Sequence, residues 1–291
     1  SVSDMGQSAF EECTNLEYAQ ISSSALGLQS FYGCTNLNKI VLDGELKYVP
    51  QNTFGKCINL SSVDIPDTVT LIGTAAFSRC TSLSNIKIPK KIRQIGASAF
   101  SQCSSIKKVY ISDLSAWINA AVGYYADPFY YGAEMYLDGS LITHLTVPAD
   151  VTVLQNIGNC SSIESIYLHK NVEQINGLSY NLNIKKVYAP ISKNFRYDFN
   201  KDVTFVNYCT IDYIKDGTLI KSDSVYVGED SVLPIPPEGE TYYYESNGEE
   251  WNGKNISADA IVTVYNAALV TYTGDCVGND IVKIGSDVVL P

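Results

Sequence analysis

One phrase of apolar positions recurs along the chain: an aromatic, two residues, a cysteine, two residues, an aliphatic. It reads Phe10/Cys13/Leu16, Phe31/Cys34/Leu37, Phe54/Cys57/Leu60, Phe77/Cys80/Leu83 and Phe100/Cys103/Ile106, at spacings of 21, 23, 23 and 23 residues. From each aliphatic anchor the pattern continues apolar, two polar, apolar, one variable, apolar, as in Leu60, Val63, Ile65 and Leu83, Ile86, Ile88. This predicts a short strand with its apolar residues facing a core and the residues between them facing out. Pro66 and Pro89 end the strand, and Val69/Ile72/Gly73 and Ile92/Ile95/Gly96 predict a return path on the opposite side. A period of roughly 20–29 residues with this pattern predicts a solenoid in which each repeat is one coil stacked on the next.

The same frame places later strands at Ile142/Leu145/Val147, Ile163/Ile166/Leu168 and Ile184/Val187, eight rungs in all. Between Ile106 and Ile142 the spacing grows to 36. The extra residues, including Asp113 to Trp117 and Asp127 to Tyr131, are expected to bulge out as a helical turn and an aromatic loop. The last coils degenerate, with Ile157 and Leu178 in the Phe slot and Asn181 in the Cys slot, as expected of a terminal capping repeat.

Past Tyr208 the period stops. Residues 210–266 read as short strands separated by turns: Ile211 to Tyr213, the turn Lys215-Asp216-Gly217, Ser224 to Val227, the Pro234 to Pro237 loop, Tyr242 to Tyr244, and Ile261 to Tyr265. A shift of 57 residues aligns Gly217 with Gly274, Asp223 with Asp280, Val225 with Val282, Gly228 with Gly285, Asp230 with Asp287, and Val232-Leu233-Pro234 with Val289-Leu290-Pro291. The expected organisation is a solenoid at 1–209, a long bulged repeat at 106–142 within it, a β-rich module at 210–266 and a partial second copy at 267–291. The chain opens inside a repeat and carries no signal peptide, so an upstream segment is expected to precede it.

The five repeat cysteines fall in one slot of successive coils. They are expected to form an inward ladder of free thiols, each S–H meeting a backbone carbonyl. Neighbouring rungs lie about 5 Å apart, a spacing at which bridging is also open. No cysteine pair has zinc spacing, so no metal is expected, and no cofactor motif is present. Net charge is −11, and it is uneven: residues 1–209 hold 17 acidic and 16 basic side chains, residues 210–291 hold 14 and 4. This argues against nucleic acid and anionic lipid as partners of the C-terminal module. No run approaches the ~20 apolar residues of a membrane span. The only histidines are His144 and His169, and no hydrolase, zinc-protease, phosphate-loop or calcium-loop motif occurs. A carbohydrate-active β-helix enzyme would need carboxylates converging on one face. The outward strand positions supply only Glu17, Asp64 and Glu164, on separate rungs.

Those outward positions hold six lysines against three carboxylates. Tyr110, Tyr167 and Tyr188 share one strand position, with Lys107, Lys108, Lys185 and Lys186 beside them and His144 on an intervening rung. Tyrosine combines wide contact area with a hydrogen-bonding tip, so these eight residues are the candidate ligand-binding set. The same residue types are also ordinary on a solvated sheet face. Trp117, Tyr124, Tyr125, Phe129, Tyr130 and Tyr131 in the bulge either form a competing recognition surface or pack the insertion onto the solenoid.

The segment Ile72-Gly73-Thr74-Ala75-Ala76-Phe77-Ser78-Arg79-Cys80-Thr81-Ser82-Leu83 and its copies resemble the BspA-like, or Treponema pallidum type, leucine-rich repeats of bacterial surface proteins, in which the cysteine precedes the strand. The resemblance covers roughly residues 1–190. The module from Thr210 resembles the Listeria–Bacteroides type repeat, a β-grasp-like stalk unit, through its DG turn, VxxG step and terminal VxVY. The implied fold is mainly β with short helical turns, a right-handed leucine-rich-repeat solenoid followed by a small β-rich domain. The implied role is a non-enzymatic adhesion or binding module on the bacterial cell surface, with a host matrix protein, mucin or glycan as its extracellular ligand. A structural spacer, or an element self-associating through the partial C-terminal repeat, is the alternative.

Overall fold

The computed structural model describes residues 4–179, 181–227, 229, 233–235, 242–247, 249–254, 256, 258–272 and 278–283. Its strands, in chain order, begin with β1 (Tyr18–Ile21), β2 (Lys39–Leu42), β3 (Tyr48–Val49), β4 (Ser62–Asp64), β5 (Leu71–Ile72), β6 (Asn85–Ile88), β7 (Gln94–Ile95) and β8 (Lys108–Ile111). The helix α1 (Leu114–Asn119) follows. Then come β9 (Ala121–Val122), β10 (Glu134–Leu137), β11 (Ser140–Leu141), β12 (His144–Thr146), β13 (Val153–Leu154), β14 (Ser165–Tyr167), β15 (Gln174–Ile175) and β16 (Lys186–Pro190). The chain forms two compact units, Ser1–Val187 with Phe195–Thr204, and Tyr188–Asn194 with Phe205–Pro291.

The first unit is a mainly β solenoid. On one face lie the parallel sets β1-β2-β4, β6-β8-β10 and β12-β14; the return strands pair in parallel as β3-β5-β7-β9 and β13-β15. Each coil buries its aromatic, cysteine and aliphatic residues. Phe31, Phe54 and Phe77 are fully buried with Cys57, Cys80, Leu60 and Leu83. The phenyl rings form one stack, Phe10 on Phe31 on Phe54 on Phe77 on Phe100, with centroids 5.2, 5.6, 5.2 and 5.5 Å apart. Beside it runs the thiol ladder. Cys34, Cys57, Cys80 and Cys103 each donate S–H to the carbonyl of the preceding coil's phenylalanine, at 2.9, 3.1, 3.1 and 3.0 Å. These cysteines are free. In the last coil Asn181 fills the cysteine slot and donates Nδ2–H to a different carbonyl of the preceding coil, that of Cys160, at 3.2 Å.

Two backbone features fix how closely coils stack. A Cβ built on Gly73 or Gly96 would lie 2.6 Å from Gln51 N or 2.5 Å from Thr74 N in the previous coil. Glycine is required there by close approach of backbone to backbone rather than by a bend. Each turn also holds residues in left-handed conformation, Ala75 and Ser98 (φ 53° and 59°) before the phenylalanine and Lys56, Arg79 and Gln102 (φ 60°, 63° and 62°) after it. Gly33 takes the latter slot in an earlier coil, with φ 72°.

The expanded repeat differs from its expectation. The helical turn is there: α1 is capped by Asp113, whose Oδ1 accepts from Ala116 N–H at 2.9 Å. Asn156 Nδ2 closes the other end on the Trp117, Ile118 and Ala120 carbonyls. But Glu134–Leu137 does not bulge. It forms β10 and continues the parallel face beside β8, Glu134 opposite Lys108 and Tyr136 opposite Tyr110. The turn Asp138-Gly139, both at positive φ, then folds β11 back onto β10. The eight-rung count therefore omitted one face strand, because Met135 sits where the period places no anchor.

In the second unit the described strands are β17 (Thr204–Lys215), β18 (Thr218–Tyr226), β19 (Tyr242–Ser246), β20 (Glu249–Glu250), β21 (Ala260–Tyr272) and β22 (Gly278–Lys283). β17 and β18 are an antiparallel hairpin over the Asp216-Gly217 turn; β17 and β21 are parallel; β19 is antiparallel to β21. The order is β18-β17-β21-β19, with β17 and β21 side by side in the centre and β22 antiparallel to the C-terminal part of β21. Cys209, Ile211, Tyr213, Val225, Ile256, Val262 and Val264 form its core. The aligned positions Gly228, Asp230, Val232, Gly274, Gly285, Asp287 and Val289 to Pro291 lie outside the described residues, as do Pro236 and Pro237.

Candidate functional site

Register across β6, β8 and β10 lines the outward side chains into two rows, Asn85–Lys108–Glu134 and Lys87–Tyr110–Tyr136. Alternation forces this: Ile86, Val109 and Met135 point inward and are fully buried, so their neighbours must face out. The Tyr110 and Tyr136 rings pack at 5.2 Å with planes 40° apart. Lys108 Nζ lies 5.3 Å from the Tyr136 centroid, a cation–π contact. Tyr136 O–H donates to Glu134 Oε2 at 2.9 Å, and this bond to the carboxylate raises the phenol pKa above its ordinary value.

Tyr110 also lines a groove of about 530 Å³, together with Asp64, Asp67, Lys87, Lys90 and Asp138 among others. A second trough of about 490 Å³, reaching Asp43, shares Asp64 and Lys87 with it. Lys87 Nζ bridges to Asp67 Oδ2 at 3.0 Å, and Lys90 N–H donates to Oδ1 at 3.1 Å. Partial burial pushes the Asp67 carboxyl up, but these bonds and the two lysine charges outweigh it and hold the group below its ordinary range. The strand positions alone imply a lysine-rich face; the troughs instead carry Asp43, Asp64, Asp67 and Asp138 against Lys87 and Lys90. The difference arises because Asp43, Asp67 and Asp138 come from turns after the strands and fold back to the rim.

The eight sequence-predicted residues divide. Lys108 and Tyr110 join Tyr136 and Glu134. Lys107 is exposed just before β8, and its carbonyl accepts from Glu134 N–H at 2.9 Å. His144 and Tyr167 lie on β12 and β14, a separate parallel pair from β6-β8-β10. His144 Nδ1 is 2.7 Å from Ser165 Oγ on the adjacent rung. Lys185 and Lys186 are exposed, and Lys185 Nζ pairs with Glu164 at 3.2 Å, a solvent-exposed bridge worth little. Tyr188 belongs to the second unit, where its ring packs 5.8 Å from Tyr226. Tyr110, Tyr167 and Tyr188 therefore do not form one run of adjacent strands. Sequence reasoning missed Tyr136, Glu134, Asp67 and Asp138. The signal for the first two was the alternation Glu134-Met135-Tyr136-Leu137 running into Asp138-Gly139, a hairpin signature.

Among the described residues no three His, Cys, Asp or Glu side chains are grouped to hold a metal ion, and no helix is long and apolar enough to cross a membrane. No curated protein sequence matches the chain. Solved structures do. The T. pallidum leucine rich repeat protein is 20% identical, with 68% of this chain and 72% of that chain covered and a TM-score of 0.36. A leucine rich cell surface protein of Faecalibacterium prausnitzii is 18% identical, with coverage of 74% and 71% and a TM-score of 0.29. The pneumococcal vaccine antigen PcpA is 17% identical, with coverage of 64% and 54% and a TM-score of 0.31. The family model of the BspA type leucine rich repeat region matches six copies, over residues 2–124 and 132–207. With most of its length in those copies, and with the phenylalanine stack and thiol ladder that they build, the chain belongs to the BspA-type leucine-rich-repeat family.

Proposed function

We propose that this chain is a non-enzymatic binding module of a bacterial cell surface that captures an extracellular protein or glycan on the strand face of its solenoid. One observation carries this: the half-buried Tyr110, packed on Tyr136, which Lys108 and Glu134 brace, lines a groove that carries both signs of charge. Aromatic anchors beside paired polar groups are the composition of binding hot spots. Family membership supports a surface protein, since the F. prausnitzii relative is described as a cell surface protein. Lys107 extends this surface, and His144, Tyr167, Lys185, Lys186 and Tyr188 remain secondary contact candidates. Glycoside cleavage is disfavoured on this face, because it needs carboxylates converging on one bond and the outward Glu17, Asp64 and Glu164 lie on separate rungs. The order β18-β17-β21-β19, with its central parallel pair, supports reading residues 210–266 as a β-grasp-like stalk repeat.

The test is capture of the purified chain by an array of matrix proteins, mucins and glycans, repeated with Tyr110→Ala/Tyr136→Ala. A hit that the double variant loses by tenfold or more, while its melting curve is unchanged, supports the strand face. A hit retained at full strength rejects that face. Silence across the array with self-association of the intact chain favours a structural spacer.

A further inference from the structure

The loop between β9 and β10 carries an exposed aromatic edge on a buried anchor that it shares with α1. Trp117 and Phe129 are fully buried and pack edge to face with centroids 5.8 Å apart. Asp127 accepts from Phe129 N–H at 2.8 Å and from Asn159 Nδ2 at 2.9 Å, tying the loop to the next coil. On this anchor Tyr124, Tyr125, Tyr130 and Tyr131 stand 88%, 70%, 56% and 38% exposed. Tyr125 has φ 58°, in the turn slot that Ala75 and Ser98 fill in the two preceding coils. A left-handed backbone is unfavourable for a bulky side chain, so the solenoid turn imposes it and sets the ring's direction. Tyr130 and Tyr131 pack nearly at right angles, 83°, with centroids 5.1 Å apart, so one ring face stands beside the other's edge.

Tyr125, Tyr130 and Tyr131, with Phe100, Ser101 and Gln102 of the preceding coil, line a cleft of about 140 Å³. Sites for drug-sized ligands run to roughly 300–1,000 Å³, so the occupant here is a single ring-sized group. No lining side chain is charged. The polar groups are three phenol hydroxyls, the Ser101 hydroxyl and the Gln102 amide, each able both to donate and to accept. A neutral sugar ring matches this set: its C–H face lies against an aromatic face, and its hydroxyls need mixed donors and acceptors. A quaternary ammonium group would also meet the rings, but it has no use for the amide and hydroxyls. We propose that this cleft is a carbohydrate site for one neutral pyranose unit, such as the end of a glycan chain, distinct from the strand face. Tyrosine loses little conformational freedom when it binds, so the exposed edge is suited to a shallow, weak site made useful by repetition of the ligand.

Saturation-transfer NMR and calorimetry on the intact chain test it, with glucose, galactose, mannose, N-acetylglucosamine and N-acetylgalactosamine, and tetramethylammonium as the cation probe. At least one sugar should saturate, with transfer concentrated on one face of its ring. Tyr125→Ala and Tyr130→Ala should each weaken it tenfold or more, and Gln102→Ala should change the ranking of sugars. Tyr110→Ala, on the strand face, should leave it unchanged. Absence of binding across the panel, or sugar binding undiminished in the Tyr125→Ala/Tyr130→Ala double variant with a native circular dichroism spectrum, overturns the proposal. Saturation by tetramethylammonium in place of every sugar overturns it as well.

Discussion

Truncating one ring in the middle of the phenylalanine stack tests the coil packing most directly. Phe77 is fully buried, with Phe54 on one face at 5.2 Å and Phe100 on the other at 5.5 Å. Phe77→Ala removes the transfer free energy of the ring and leaves a cavity that the stacked coils cannot collapse, because glycine-to-backbone contacts already hold them at closest approach. Large-to-small changes of this kind cost about 3–5 kcal/mol. Loss of two ring partners, each worth ~0.5–1.5 kcal/mol, places this site in the upper half of that range. Phe10 is the internal control: it is 38% exposed and touches one ring, at 5.2 Å. Phe10→Ala should cost no more than about 2 kcal/mol, since only part of the ~1.5–3 kcal/mol of full burial is at stake. Urea denaturation followed by far-UV circular dichroism, on both variants of the intact chain, reads the difference. Equal losses, or a Phe77→Ala loss under about 1.5 kcal/mol, would refute the stacked-ring core.

Gly96→Ala should destabilise by about 1–3 kcal/mol, as overpacking does, because its Cβ would meet Thr74 and Gly73 backbone rather than a movable side chain; a wild-type urea midpoint would contradict this. Arg79→Gly should instead stabilise by about 0.5–1 kcal/mol, since left-handed backbone costs a non-glycine residue ~1–2 kcal/mol and glycine returns part of that as chain entropy; thermal melts decide the sign. Burial pushes the Cys34 thiol to about 11 and the Cys57 and Cys103 thiols to about 12, from 9.0. Their stabilisation is therefore complete below pH 9 and is lost as pH rises from 9 toward 12, where unfolded thiols ionise first. Melts between pH 7 and 11 should fall more steeply for the native chain than for Cys57→Ala/Cys103→Ala, and equal slopes would count against the neutral ladder. At pH 8 iodoacetamide should modify exposed Cys13 while sparing Cys57, Cys80 and Cys103, as mass spectrometry of the alkylated native protein would show.

The periodic residues made the solenoid legible because each slot asks for a residue type independent of distant sequence. A phenylalanine, a small soft donor and an aliphatic at 23-residue spacing meet slots of the same repeat in the neighbouring coils, so the pattern alone reports burial, ladder and strand. Asn181 shows the limit of that code and its logic: a different residue fills the cysteine slot and still donates to a carbonyl of the preceding coil, that of Cys160 rather than that of the residue in the phenylalanine slot. The site was less legible. Lys108 and Tyr110 were readable as outward strand positions, but Tyr136 and Glu134 lay in the segment where the period fails, and Asp43, Asp67 and Asp138 lay in turns that strand periodicity does not describe.

The chain's order of residues thus determined the repeat, the inward ladder, the outward face and the family. Local period and side-chain chemistry are enough for contacts between identical neighbours. Only the tertiary structure decided that β10 joins β8 and sets Tyr136 beside Tyr110, that turn aspartates rim the groove, and that the insertion buries Trp117 and Phe129 while leaving its tyrosines in water. Those outcomes depend on how an irregular segment closes against a regular one, a balance of burial and backbone geometry that no fixed spacing encodes.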